Sequence, residues 1–283
     1  MPKLAANLSF LFQEHPFLDR FEAAAKAGFR GVECLFPYEA PATAIAERLA
    51  RHGLTLALLN LPPGDVAAGE RGMGALPGRE AEFIAAAERA LGYALATGCK
   101  RLHALSGIWP GNRAKEEGAA VLAANLRRAA DLVAPHGITL LIEPINPRDI
   151  PGYFLNTTGA ALGILDRVAR NNVRLQLDLY HCQIMEGDLA MHLRQLAGRY
   201  AHIQIAGVPE RHEPDRGEVN YPYLFDLLDT LGYDGWVGCE YRPAAGTMAG
   251  LGWARRWGIR PSGWGVHPQV VHARRTCTAT ALC

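Results

Sequence analysis

The sequence has almost no surplus charge of either sign, with 29 lysines and arginines against 28 aspartates and glutamates. That balance excludes the broad basic face a nucleic acid or an anionic membrane would need, and leaves a small molecule as the expected partner. Cys-x-x-Cys pairs are absent among the six cysteines at 34, 99, 182, 239, 277 and 283. Cys34 and Cys239 lie in apolar runs, where a reduced thiol packs as a small hydrophobe, so a reducing compartment is expected. No apolar run reaches membrane-spanning length, and Met1-Pro2-Lys3-Leu4 enters a strand-like segment without the basic and apolar regions of a signal peptide. The expectation is a soluble cytoplasmic protein with no membrane partner; homo-oligomerisation is left open. Internal repeats are missing, as are the Lys-Ser/Thr pair of a phosphate loop and a dinucleotide fingerprint.

What the chain does have is 283 residues, 49% of them hydrophobic, enough to bury one large core. Strand-like runs at Leu4 to Leu8, Gly31 to Leu35, Leu54 to Leu59, Arg101 to Leu105, Leu140 to Ile142, Val173 to Asp178, Ala201 to Ala206 and Gly235 to Glu240 alternate with helical periodicities. The helices are predicted over Phe17 to Ala27, Ala42 to His52, Glu80 to Thr97, Lys115 to Val133, Thr157 to Ala169, Met185 to Leu196, Tyr221 to Leu231 and Thr247 to Trp257. Eight strands alternating with eight helices predict an α/β fold, a single-domain (β/α)8 TIM barrel over residues 1–259, followed by an irregular tail over 260–283. The Gly/Pro-rich stretch from Asn60 to Gly78 is longer than an ordinary connection, hence functional or disordered, and is taken as an active-site loop.

In such a barrel the active site lies at the C-terminal ends of the strands. Leu-Leu-Ile-Glu-Pro-Ile-Asn, Leu140 to Asn146, ends an apolar run in the carboxylate of Glu143, and Pro144 stops the ladder. Three later strands likewise end in or near an oxygen donor: Asp178, Gln204 and Glu240. Glu143, Asp178, Gln204 and Glu240 therefore form a candidate all-oxygen metal set, suited to Mg²⁺ or Mn²⁺ rather than zinc. A glutamate bound through one oxygen keeps the other for a proton, so Glu143 and Glu240 are also the catalytic candidates. His181, three residues beyond Asp178, is placed to bond a substrate oxygen, with Asp149 either a solvated loop acid or the acid that orients it. Arg211 and Arg71, both in loops, are candidates to clamp a substrate carboxylate.

Many short stretches in order carry a family resemblance from Lys3 to Trp257. They include Ala6-Asn7-Leu8-Ser9, Gly31-Val32-Glu33, Gly69-Glu70-Arg71-Gly72, Glu143-Pro144-Ile145-Asn146, Asp178-Leu179-Tyr180-His181, Gln204-Ile205-Ala206 and Gly238-Cys239-Glu240-Tyr241. The chain resembles the hydroxypyruvate isomerases of the xylose-isomerase-like barrel superfamily. The resemblance implies that Glu143 and Glu240 are a catalytic pair joining Asp178 and Gln204 around a divalent metal. Through related ketose epimerases it implies substrate contacts for His181, Asp149 and Arg211. The implied reaction is hydroxypyruvate to tartronate semialdehyde, through an enediolate. The 2-oxo-tetronate isomerases resemble the chain closely as well, above all across Tyr200 to Pro243. A multi-zinc endonuclease on the same barrel is disfavoured, since none of the ten histidines is expected at a strand tip. A catalytically silent sugar-acid binding protein ranks low because both glutamates are present.

Overall fold

The structure is a computed structural model and describes residues 1–260. The apolar runs become eight parallel strands: β1 Lys3–Asn7, β2 Gly31–Cys34, β3 Thr55–Asn60, β4 Arg101–His103, β5 Thr139–Ile142, β6 Val173–Asp178, β7 Tyr200–Ile205 and β8 Trp236–Cys239. Each pairs with the next, and β1 pairs with β8, closing the barrel. Closure leaves no unpaired sheet edge. The expected tail lies, apart from Arg260, outside the described residues.

Helices wrap the strands: α1 Arg20–Ala27, α2 Ala42–His52, α3 Glu80–Thr97, α4 Lys115–Val133, α5 Thr158–Val168, α6 Leu179–Met185, α7 Leu189–Gln195, α8 Tyr221–Thr230 and α9 Thr247–Gly250. Their apolar stripes, such as Leu122, Leu126, Ala129 and Val133 of α4, are buried against the sheet. Two predicted helices differ. The one expected over Met185 to Leu196 is the shorter α7, and an unexpected helix, α6, precedes it, because the Asp178 carboxylate accepts from Tyr180 N and starts α6 at the very end of β6. The chain then breaks at Asp188, whose φ of 46° is left-handed. The one expected over Thr247 to Trp257 has a single α-turn, α9, and continues as a 3-10 helix over Leu251–Trp257.

The stretch from Asn60 to Gly78 is ordered onto β4 and the loop after it. Leu61 N donates to His103 O, Gly74 N to Leu105 O and Ala75 N to Ser106 O, at 2.8 to 3.1 Å. Asn125 from α4 ties it down from beneath, donating through Nδ2 to Gly74 O. The loop thus roofs the C-terminal end of β4.

Candidate active site

Each of the eight strands presents a buried polar side chain within one residue of its C-terminal end: Asn7, Glu33, Asn60, His103, Glu143, Asp178, Gln204 and Glu240. These groups share the mouth of the barrel, where strand twist converges the inward positions. The four on the later strands were expected from the sequence. Those on the first four were not, although Ala6-Asn7, Val32-Glu33, Leu59-Asn60 and Leu102-His103 carry the same signal of a polar residue ending an apolar run. His103, as the last residue of β4, also corrects the expectation that no histidine sits at a strand tip.

Arg211 is the cation of the cluster. It projects from the loop after β7 with φ 60°, its backbone held by Gly207 O and Arg242 N. Its guanidinium lies 2.6 Å from Glu240 Oε1, 2.8 Å from Asp149 Oδ2 and 3.7 Å from Asp178 Oδ2. Phe10 and Tyr180 cover it, with its carbon 5.0 and 4.8 Å from their ring centres. Burial alone would lower its pKa, but the carboxylates of Glu240, Asp178 and Asp149 outweigh this and raise it. Asp149 therefore serves Arg211 and the Tyr180 hydroxyl. Of the two readings open for it, orienting His181 is not the one seen; that bond comes from Asn146, whose Nδ2 lies 2.6 Å from His181 Nδ1.

The acids themselves hold protons tightly. Burial, reinforced by the Glu240 and Asp178 carboxylates, pushes Glu143 well above the usual carboxylate range. Burial also pushes Glu240 up to about 8 and Asp178 up to about 6, in each case against the pull of Arg211. His181 is held well below its ordinary value by burial, with Arg211 and His103 adding to it, and is neutral at pH 7. With Nδ1 accepting from Asn146, its proton sits on Nε2, 3.6 Å from Asp178 Oδ2.

A cation would fit among these groups. Among the described residues, Glu143 Oε1 and Asp178 Oδ2 are buried without a hydrogen-bond partner. Glu143, Asp178 and His181 each bring one donor atom within 4.8 Å of the others. Orphaned carboxylate oxygens in a buried site are what a hard divalent ion satisfies. Gln204 lies in the same cluster: its Nε2 donates to Glu240 Oε2 at 2.5 Å and to Glu33 Oε1 at 2.8 Å, while its oxygen accepts from Gln176 Nε2. Arg71 is not drawn into this network by any hydrogen bond or ion pair; its guanidinium donates to Val66 O and Glu70 O of its own loop.

Fold and site together define a (β/α)8 barrel with a buried acid–base cluster at its catalytic mouth. The sequence profile of the xylose isomerase-like TIM barrel family matches residues 21–257, and the chain belongs to that family. It is 57% identical over 255 residues to a 2-oxo-tetronate isomerase of Cupriavidus necator, covering 90% of this chain and 98% of the relative. It is 48% identical over 253 residues to a hydroxypyruvate isomerase of Escherichia coli, covering 89% and 98%. A crystal structure described as an AP endonuclease, family 2, from Brucella melitensis superposes with a TM-score of 0.90 at 54% identity, covering 91% of this chain and all of that one.

Proposed function

We propose that the chain is an isomerase that moves the carbonyl of a short 2-oxo acid from C2 to C3. The observation that carries this reading is the pair of buried carboxyls, Glu143 and Glu240, both with raised proton affinity, at the mouth of one barrel. Two carboxyls that resist ionising together suit a reaction in which one takes a proton while the other gives one.

In the forward direction a proton leaves C3 for one carboxylate, and the electrons of the C–H bond form an enediolate across C2 and C3. The other carboxyl then returns a proton to C2 while the proton of the C3 hydroxyl passes to the C2 oxygen, which leaves a hydroxyl on C2 and the carbonyl on C3. Hydroxypyruvate would become tartronate semialdehyde, and 2-oxo-tetronate would become its 3-oxo isomer. His181, neutral and protonated on Nε2, donates to a substrate oxygen. Arg211, steadied by Asp149 and Tyr180, faces the substrate carboxylate, and Arg71 on the roofing loop is the second candidate for it. Glu143, Asp178 and Glu240 through carboxylate oxygens, and Gln204 through the lone pair of its amide oxygen that Gln176 leaves free, would hold a divalent ion, Mg²⁺ or Mn²⁺. When bound, that ion supplies positive charge that offsets the charge developing on the substrate oxygens. Identity to the relative from Cupriavidus necator supports 2-oxo-tetronate as substrate, ahead of the hydroxypyruvate suggested by the Glu-Pro-Ile-Asn and Gly-Glu-Arg-Gly motifs.

The test is turnover of purified, chelator-treated protein with each keto acid, with and without added Mg²⁺ or Mn²⁺. Metal-dependent conversion is expected, faster for 2-oxo-tetronate. Glu143→Gln and Glu240→Gln should each lower kcat by roughly 10²–10⁴-fold while circular dichroism stays unchanged. Normal turnover from a folded Glu240→Gln variant sinks the assignment. Absence of turnover of either acid by the wild type, with binding retained, would point to a silent sugar-acid binding protein.

A further inference from the structure

Glu33 has no part in the reaction above, yet it is only 1% exposed and sits inside the barrel among the reacting groups. Its Oε1 accepts from Asn7 Nδ2 at 2.9 Å and from Gln204 Nε2 at 2.8 Å, and its Oε2 pairs with His202 Nε2 at 2.7 Å. The same two amide nitrogens also donate to Glu240 Oε2, Asn7 at 2.8 Å and Gln204 at 2.5 Å. Each amide nitrogen has two protons, so each spends one on Glu33 and one on Glu240.

The oxygen ends of both amides face other partners. Asn7 Oδ1 accepts from Ser9 N and Gln204 Oε1 from Gln176 Nε2. A carboxylate accepts only, so Glu33 obliges both amides to turn their nitrogens toward it. Those nitrogens then meet one edge of Glu240, while Arg211 holds the other edge at Oε1. Backbone features make room for this. The register of β2 against β3 shifts between Val32 and Glu33. A Cβ on Gly238 of β8 would stand 2.4 Å from both Glu33 carboxylate oxygens. Glu33, Gly238 and Glu240 thus belong to a single device.

We propose that Glu33 is a positioning residue for Glu240: by orienting the Asn7 and Gln204 amides it fixes the direction in which the Glu240 carboxylate meets substrate. This rests on the reading of Glu240 as a proton-transferring group. A Glu33 that only stabilised the barrel through His202 would affect folding and leave the chemistry of folded protein alone.

Glu33→Gln keeps the shape but replaces the charged acceptor shared by the Asn7 and Gln204 amides with a neutral amide that donates on one side; either an N–H faces an N–H or His202 must turn to the tautomer whose Nε2 accepts, and in both cases the hold on the two amides weakens. Folded Glu33→Gln is expected to lose roughly 10–100-fold in kcat, the range typical of groups that orient a site through an intermediary. KM should stay within about 3-fold, as for a loss confined to the transition state. Asn7→Ala should lose kcat as well, and the double variant should lose less than the product of the two single factors, because both act through one edge of Glu240. Gly238→Ala, which presses on the Glu33 carboxylate without altering any donor or acceptor, should lower kcat in the same way and serves if Glu33→Gln does not fold. In a crystal structure of Glu33→Gln or Gly238→Ala the Glu240 carboxylate should leave its bonds to Asn7 and Gln204. An unmoved Glu240 with both bonds intact, or independent multiplicative losses in the double variant, overturns the proposal. Wild-type protein that isomerises neither acid refutes the reading of Glu240, while the crystallographic comparison still decides whether Glu33 places it.

Discussion

Arg211 shows how much of this site hangs on one side chain. It is 8% exposed and meets three carboxylates, two of which, Glu240 and Asp178, it pulls toward the ionised form. A left-handed backbone costs a non-glycine residue about 1–2 kcal/mol, so the surrounding contacts must outweigh that cost. Removing one partner from a buried ion pair leaves the others uncompensated, typically at about 3–5 kcal/mol. Arg211→Met is therefore expected to lower unfolding free energy at pH 7 by about 3 kcal/mol or more in urea titrations. A change below about 1 kcal/mol would show that the acids do not depend on the guanidinium. Sequence alone placed Arg211 in a loop next to strand seven; its acid partners come from β6, β8 and the loop after β5, which no local pattern reports.

At the scale of elements, the roofing loop works by close backbone approach. Gly72 has φ 99°, and a Cβ there would stand 2.3 Å from Leu105 Cβ and 2.6 Å from Leu105 O. Gly72→Ala must therefore both strain the backbone and push the loop off the segment that follows β4. A loss of about 1–3 kcal/mol is expected, with faster amide exchange at Gly74 and Ala75, whose N–H groups bond across that contact. Unchanged exchange at those amides would mean the loop is held from elsewhere. The length and Gly/Pro content of this stretch marked it as functional or disordered. Its hydrogen bonds to β4 and to the segment after it decide for order.

On the scale of the whole molecule, the first and last strands must meet, and a polar latch secures the seam. Glu14, following β1, accepts from Thr247 N at 2.7 Å and Thr247 Oγ at 3.2 Å, while Phe12 N donates to Thr247 Oγ at 2.7 Å. Burial pulls the Glu14 pKa up, but the hydrogen bonds from Thr247 outweigh it and hold it below its ordinary value. A depressed folded pKa means the latch contributes fully above the unfolded value, about 4.3, and is lost as pH falls through the folded one. The urea midpoint of wild type should thus exceed that of Glu14→Gln at pH 7, and the gap should narrow by pH 3. A gap that stays constant or widens on acidification would contradict the latch.

The sequence by itself determined the barrel, because alternation of apolar runs with helical periodicity is a local property and closure is the way eight such units bury both faces of a parallel sheet. It also determined the tips of the later strands, where a single acid or amide ends an apolar run. Only the tertiary structure decided which polar groups meet, because contact between residues far apart in the chain is a property of register. Glu33 and His202, 169 positions apart, pair across the barrel, and Asp149 reaches Arg211, 62 positions away, rather than His181. Side-chain type told what each group can donate or accept; the closed sheet chose its partner.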